Sequence, residues 1–161
     1  MAAKKKKATK ATKPAKRPAK KPVKKAARSA AKPVAKKLVS KVTPLLMVRE
    51  IEPCIPFWTR IGFEQTVSVP EGDKIGFVML VKDGYEIMYQ TVASIAADVP
   101  AAATAPMGGS FFFIEVTDLD AVAKNVASAP VVFTRRKTFY GMEEIGVREP
   151  GGNAVTFAQP V

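Results

Sequence analysis

The last three quarters of the chain contain an internal repeat with a spacing of 68 residues. Residues at this spacing agree in type at a strand-to-helix junction and at a later turn: Val48 and Val116, Glu50 and Asp118, Ile51 and Leu119, Glu52 and Asp120, Gly84 and Gly152. Agreement at both ends of the unit, with one constant offset, predicts the duplication of a single βαβββ unit. Two unrelated α+β halves remain the alternative.

Short apolar runs give the order of elements within each unit. They lie at 44–48, 63–69, 75–81 and 85–90, and again at 110–116, 131–135, 142–149 and 153–159. Such runs, bounded by turn residues, predict strands. A helix is predicted after the first strand of each unit, because Ile51, Ile55 and Trp58 share one helical face and 118–128 has helical character. Pro53 and Pro56 confine the first helix mainly to its later residues.

The predicted fold class is therefore α+β, in one domain at 43–161. Its two tandem modules lie at about 43–96 and 110–161, and an Ala/Pro-rich linker at 97–109 joins them. The length is within the ordinary range for one domain with its own core.

The first 42 residues have a different composition. They contain 17 of the 26 Lys and Arg residues and no acidic residue, which leaves 9 basic against all 14 acidic residues in the rest. Four prolines, at positions 14, 18, 22 and 33, prevent a persistent helix, and too few apolar residues are present to form a core. We expect 1–42 to be a disordered basic tail, and its Lys/Ala/Pro units resemble the tails of linker-histone-like proteins.

A tail of this kind favours polyanions, because cations near phosphates release condensed counterions whatever the base sequence. No aromatic residue interrupts the lysines, so no reading of base sequence by stacking is expected. The expected contacts to nucleic acid are Lys4, Lys5, Lys6, Lys7, Lys16, Arg17, Lys20, Lys21, Lys24 and Lys25. A solubilising tail, or one that binds acidic surfaces, is the alternative.

The cysteine count and the lengths of the apolar runs indicate the compartment in which the protein is expected. Cys54 is the single cysteine, so no disulfide forms within the chain and a reducing compartment is expected. No apolar run follows the basic start as in a secretory signal, and none approaches the roughly 20 residues that span a bilayer. We expect a cytoplasmic protein without a membrane partner, associated with the nucleoid where the tail binds DNA.

Two segments carry a family resemblance that covers 43–161. PLLMVREIEPCIPFWTRIGFE and YGMEEIGVREPGGNAVTFAQ resemble the glyoxalase/bleomycin-resistance/dioxygenase (vicinal oxygen chelate) superfamily, and the second segment is most similar to its drug-binding resistance proteins. The resemblance implies two βαβββ modules in a cupped mixed sheet, and a homodimer with ligand clefts shared between chains. The DPDGN-like turn of the family is replaced here by residues 149–153, with the sequence EPGGN.

Metal enzymes of this family take their ligands from four places, which the resemblance puts at Thr43, Met88, Phe111 and Thr156. None is His, Glu or Gln, and the chain contains no His. The resemblance to the resistance proteins therefore implies a metal-free domain that needs no cofactor and binds rather than catalyses.

Strand alternation then predicts the side chains that line the cup, because residues of equal parity lie on one face. This set is Leu45, Met47, Glu86, Met88, Gln90, Phe111, Phe113, Glu115, Ala154 and Thr156. The opposite parity should pack under the helices: Leu46, Val48, Ile87, Phe112, Ile114, Val155 and Phe157. The resemblance adds Tyr140 and Met142, which match an aromatic–Gly–Met segment that lines the drug groove of the resistance proteins.

The expected ligand-binding residues are Tyr140, Met142, Phe111, Phe113, Glu86, Met88 and Glu115. Apolar walls with a few carboxylates suit an aromatic or cationic organic compound. Two alternatives are that Phe111 and Phe113 fill a collapsed cup, and that the carboxylates and Arg148 form a solvated or mutually paired strand face.

The sequence therefore predicts a protein that sequesters a small molecule and holds nucleic acid through its tail. A nucleoid accessory protein that uses the folded domain for dimerisation is a second interpretation. A metal-independent lyase or isomerase with Glu86, Glu115 or Glu144 as base is a third.

Overall fold

The computed structural model describes residues 39–161. The first module contains β1 (Leu45–Val48), α1 (Cys54–Thr59), β2 (Glu64–Glu71), β3 (Lys74–Lys82) and β4 (Tyr85–Thr91). After α2 (Val92–Asp98) and a short 3-10 helix (Pro100–Ala102), the second module contains β5 (Phe111–Glu115), α3 (Leu119–Asn125), β6 (Val131–Lys137), β7 (Met142–Arg148) and β8 (Ala154–Pro160).

The two modules have the same topology. Their four-stranded sheets have the orders β1-β4-β3-β2 and β5-β8-β7-β6. The first strand pairs in parallel with the last strand of its own module, and the other pairs are antiparallel. The predicted α+β fold with two βαβββ modules is confirmed.

The ends of helices α1 and α3 are explained by the residues that lie there. Helix α1 begins directly after Pro53, as the sequence predicts, since proline is tolerated before and within a first turn. Helix α3 begins after Asp118, whose carboxylate accepts the N–H of Ala121 at 2.9 Å. Lys124 in the last turn of α3 complements the helix dipole.

The repeat spacing is not constant, which corrects the sequence analysis. In the first module Leu45 lies opposite Met88, and in the second Phe113 lies opposite Thr156, so these strands keep the spacing of 68. Met88 also pairs with Met79, and its counterpart Thr156 pairs with Gly146. Met79 and Gly146 are therefore equivalent residues at a spacing of 67. The longer turn between β7 and β8 absorbs this one-residue change.

Helix α2 is an element that the apolar pattern did not predict, and it extends into the linker. The Thr91 hydroxyl accepts the N–H of Ser94 at 3.0 Å and caps the helix. Alanine-rich sequence then favours helix until Pro100 begins the 3-10 turn.

The two sheets share one hydrophobic core, which contains α1 and α3. The indole of Trp58, fully buried on α1, lies 5.1 Å from the ring of Phe63 and 6.1 Å from that of Phe112 on β5. Leu46 and Val48 of the first sheet belong to this core, together with buried residues of the second. The other face of each sheet consequently points away from the core.

A buried polar network also joins the modules. The indole N–H of Trp58 donates to the Tyr89 hydroxyl at 2.6 Å, and Tyr89 donates to the Glu149 carboxylate at 3.1 Å. Glu149 also accepts the N–H of Gly151 at 2.7 Å and two donors of Asn153 at 2.8 and 2.6 Å. Gly152 supplies the positive φ of 92° that closes this turn. The EPGGN turn thus positions a carboxylate that bonds back to the first module.

Among residues 39–161, no helix is long and apolar enough to cross a membrane. Residues 1–38 of the predicted tail, with its ten nucleic-acid contacts from Lys4 to Lys25, lie outside the described residues, whereas residues 39–42 are described.

Candidate ligand-binding site

The outer face of the first sheet, which we call the first cup face, presents half-exposed apolar side chains. It consists of Leu45, Met47, Phe77, Met79, Glu86, Met88 and Gln90. Leu45 is 48% exposed, whereas its neighbour Leu46, on the opposite parity, is 5% exposed. The burial therefore follows the alternation that the sequence predicts.

The second cup face is aromatic. It consists of Phe111, Phe113 and Glu115 of β5, with Thr156, Phe133 and Glu144 on the strands beyond. Phe111 is 76% exposed and Phe113 is 52% exposed. Neither ring fills a collapsed cup in the described chain.

Ala154 and Thr156 are buried, unlike the other eight residues that the sequence predicts to line the cup. Thr156 pairs with Gly146, and the ring of Phe133 lies over Gly146 so closely that a Cβ there would be 2.2 Å from the ring. Phe133 thus covers part of the second cup face. Alternation along β8 could not predict this, because the covering ring comes from another strand.

Glu144 is fully buried on the second cup face, and its carboxylate is satisfied by neighbours. Arg136 donates through Nε and Nη2 at 3.1 and 3.0 Å, and the Tyr140 hydroxyl donates to the other oxygen. The Arg136 guanidinium lies 4.3 Å from the centre of the Phe133 ring. The hydrogen bond to Glu144 raises the pKa of Tyr140, so this phenol stays protonated. Glu144 is therefore poorly placed to act as a base.

Tyr140 offers its ring rather than its hydroxyl to solvent. The half-exposed ring makes an edge contact with Phe139 at 5.1 Å, and Phe139 is fully exposed at the turn between β6 and β7. Met142 follows this turn and is half-buried. Its backbone N–H donates to the Thr138 hydroxyl at 3.0 Å, and its carbonyl accepts from that hydroxyl at 3.1 Å.

Glu86 and Glu115 differ in their availability. The Glu86 carboxylate forms an ion pair with Lys41 and accepts the Thr43 hydroxyl at 3.4 Å. Glu115 is exposed, and no described cation lies within ion-pair distance of it. Glu86 and Glu144 are therefore paired, but with Lys41 and Arg136 rather than with one another or with Arg148, while Glu115 has no ion-pair partner among the described residues.

A cavity of about 1060 Å³, here called the junction cavity, lies where the turn between β3 and β4 approaches β5. Glu86, Phe113 and Glu115 line it, and Met88, Phe111, Tyr140 and Met142 do not. The structure thus brings together three of the seven predicted ligand-binding residues.

Sequence reasoning missed most of the other lining residues of the junction cavity. They include Lys41, Arg60, Ile61, Tyr85, Asp118 and Asn125. The wall combines aromatic and aliphatic surface with charges of both signs. Within residues 39–161, the Arg60 side chain donates only to the Ser128 hydroxyl, at 3.4 Å. No local motif marks these residues, because they come from elements far apart in the sequence.

Four positions of this sequence are expected to match the metal ligands of the family that this chain resembles. The residues at these positions do not provide suitable ligands for a metal cation. Thr43 donates its hydroxyl to Glu86, Thr156 is buried beside Gly146, and Met88 and Phe111 offer no oxygen or nitrogen ligand. Among residues 39–161, no group of three or more His, Cys, Asp or Glu side chains is arranged to hold a metal.

This chain is similar to known proteins in its structure. No protein-family model matches the chain, and no curated protein matches its sequence. Solved structures do match. A glyoxalase/bleomycin resistance protein/dioxygenase family enzyme from Burkholderia phytofirmans PsJN is 17% identical and has a TM-score of 0.61, with 74% of this chain and 97% of that one covered.

Two further solved structures agree with this match. A glyoxalase/bleomycin resistance protein/dioxygenase from Nocardioides is 18% identical with a TM-score of 0.58, and 76% of this chain and 86% of that one are covered. A lactoylglutathione lyase from Agrobacterium tumefaciens is 15% identical with a TM-score of 0.58, and the coverage is 75% and 94%. The described domain therefore has the fold of the glyoxalase/bleomycin resistance/dioxygenase proteins.

Proposed function

We propose that the chain binds a small aromatic compound in the junction cavity and holds nucleic acid non-specifically through its tail. The observation that carries the first part is the lining of this cavity, where Phe113 and Glu115 meet Glu86 and Tyr85. The volume of about 1060 Å³ is at the upper end of the range for small-molecule sites.

The charges in the cavity indicate what the ligand carries. Of the carboxylates that line the cavity, Glu86 pairs with Lys41 and Asp83 pairs with Lys82. The Asp118 carboxylate caps helix α3, so Glu115 is the lining carboxylate that has neither an ion pair nor a cap among the described residues. Apolar walls provide burial for a flat ring, and a charge-assisted hydrogen bond to Glu115 adds orientation. We therefore favour an aromatic ring with one positively charged substituent, and sequestration as the mode of action.

Calorimetric titration of the full chain with 1-naphthylmethylamine tests this proposal, with 1-naphthalenemethanol as the uncharged counterpart. Phe113→Ala should weaken both compounds about 10-fold, because a ring contact is lost. Glu115→Gln should weaken only the amine. The matched controls are Phe139→Ala and Glu64→Gln, two exposed residues outside the cavity, which should change neither affinity. Equal affinities in the wild type and Phe113→Ala would exclude this site.

The exposed cup faces support the further proposal of a homodimer. Large apolar side chains such as Phe111 and Leu45 are open to solvent in the single chain, and soluble proteins generally cover such surfaces. Strands β1 and β5 are also edges of their sheets, and a second copy would cover these edges.

The tail supports the second part of the proposal through its composition alone. Its cations outnumber those of the folded part and carry no acidic counterpart within 1–42. We propose cytoplasmic binding to DNA or RNA, in which the tail contributes affinity without base specificity.

A further inference from the structure

A second cavity, here called the arginine cavity, lies where the end of β1 meets the turn between β7 and β8. Its volume is about 660 Å³, and Arg49 and Arg148 both line it. Gly151 packs so close to Val48 that a Cβ on Gly151 would lie 2.7 Å from the valine Cγ1. This contact brings the turn, which follows Arg148, against the end of the strand that precedes Arg49.

The arginine cavity carries a net positive charge. Among the described residues, no carboxylate lies within ion-pair distance of Arg49 or Arg148. Among the described residues, the Arg148 side chain makes one hydrogen bond, from Nη1 to the carbonyl of Gly152 at 2.5 Å, and its other guanidinium donors are available. Glu50 also lines the cavity, but its carboxylate binds Lys74 at 2.7 Å. Two guanidinium groups are therefore left without an anionic partner.

The internal repeat provides a comparison within the same chain. The junction cavity occupies the equivalent place in the other module, where Thr117 matches Arg49 at the spacing of 68. Arg148 pairs with Ala154, and Val81 pairs with Glu86, so Val81 is the counterpart of Arg148. Neither arginine is therefore required to build this junction of the fold.

We propose that the arginine cavity binds the phosphate group of a small organic molecule. Guanidinium groups match phosphate oxygens in bidentate geometry, and two of them neutralise a dianion. Val48, Pro53 and Met107 provide apolar walls for the organic part of the ligand. The volume of about 660 Å³ exceeds that of a bare phosphate and is within the range for small-molecule sites.

Amide NMR of the full chain, labelled with ¹⁵N and titrated with phenyl phosphate, tests this site separately from the basic tail. The amides of Gly108 and Gly152 should shift and saturate, while the amide of Gly72, in a turn that lines neither cavity, should not move. Phenol, which lacks the anion, should leave all three unchanged. The variant with both Arg49→Ala and Arg148→Ala should bind phenyl phosphate at least 10-fold more weakly.

The matched control removes two exposed cations, Lys124 and Lys137, which form no ion pair within the described part of the chain and do not line the arginine cavity. Replacement of both by alanine should leave the affinity unchanged. If the double arginine variant loses the dispersed spectrum of a folded protein, the single variant Arg49→Ala replaces it in the titration. This variant should stay folded, because Arg49 is exposed and makes no ion pair among the described residues. The proposal is overturned if Gly108 and Gly152 do not shift, if the arginine variants bind as tightly as the wild type, or if benzoate binds more tightly than phenyl phosphate.

Discussion

The hydroxyl of Tyr89, on β4 of the first module, donates a hydrogen bond across 3.1 Å to the carboxylate of Glu149, which follows β7 of the second. Tyr89 also accepts the indole N–H of Trp58 at 2.6 Å. One phenol therefore satisfies a donor of the first module and an acceptor of the second. Trp58 and Glu149 are both buried, so water cannot replace these two hydrogen bonds when the Tyr89 hydroxyl is removed.

Replacement of Tyr89 by phenylalanine should lower the free energy of unfolding by about 1–3 kcal/mol, because the Trp58 N–H loses its acceptor in the core. Urea denaturation of the wild type and the variant measures the difference. Tyr85→Phe is the matched control, since Tyr85 is 73% exposed and water can satisfy its hydroxyl. Equal losses in both variants would contradict a role for the buried network.

Stability should fall at alkaline pH, partly through Cys54. Burial, with a smaller contribution from the charge of Glu149, raises the pKa of the Cys54 thiol from 9.0 to about 12. Between these values the unfolded thiol has lost its proton while the folded thiol keeps it, so each rise in pH favours unfolding. The limiting slope is about 1.4 kcal/mol per pH unit for one such group.

The Cys54→Ala variant isolates this contribution. Its free energy of unfolding at pH 7 should be lower than that of the wild type, because a buried side chain is truncated. Between pH 8 and pH 10, however, it should lose about 1 kcal/mol less than the wild type. Tyr89, whose pKa is also raised by burial, contributes equally to both proteins. Parallel curves of free energy against pH would refute the assignment to Cys54.

Gly146→Ala should destabilise the second sheet and disturb its outer face. The added methyl group would lie 2.2 Å from the Phe133 ring, so this ring and the guanidinium of Arg136 above it must move. Overpacking of this kind lowers the free energy of unfolding by about 1–3 kcal/mol. Gly109→Ala is the control, because nothing lies within 4 Å of a Cβ at that position. Thermal denaturation should separate the two variants, and identical melting temperatures would contradict the packing described.

The proposed homodimer should depend on the cup faces. Replacement of Leu45 and Phe111 by serine should shift sedimentation of the full chain from dimer to monomer, because the apolar area that a second copy covers is reduced. Phe139→Ser, at an exposed turn, is the matched control and should leave the sedimentation unchanged. A wild-type chain that sediments as a monomer would contradict the proposed homodimer.

Binding of the full chain to a DNA duplex should depend steeply on salt. If about six to ten tail cations engage phosphates, affinity should fall roughly 10³–10⁵-fold between 50 and 200 mM salt. Fluorescence anisotropy measures this slope. The control is a chain in which glutamine replaces the ten predicted contacts, from Lys4 to Lys25, and its slope should be much shallower. An unchanged slope would locate the contacts elsewhere.

The sequence predicted the fold because its signals are local. Alternation in LLMV at 45–48 acts within a few residues, as do Pro53 before α1 and Pro56 in its first turn, and the structure follows these signals. Burial of Thr156 escaped prediction because Phe133, 23 residues earlier, lies over the adjacent strand at Gly146. Helix α2 escaped because its alanines carry almost no amphipathic pattern.

The candidate site was predicted only in part for a related reason. Parity selects a face of a strand, which correctly put Glu86 and Phe113 on outward-facing positions. It gives no information about which charges meet across the fold, so the pairing of Glu86 with Lys41 and of Glu144 with Arg136 had to come from the structure. Of the three carboxylates named as possible bases, Glu115 is the one without a cationic partner among the described residues.

The position of Trp58 has a consequence for how the domain melts. Its indole contacts Phe112 of the other module and lies in the one apolar interior that both sheets enclose. Neither half can open without exposing this interior to water, so the duplicated halves constitute one cooperative unit. A single calorimetric transition, matched by the emission of the lone tryptophan, is the signature of such an arrangement.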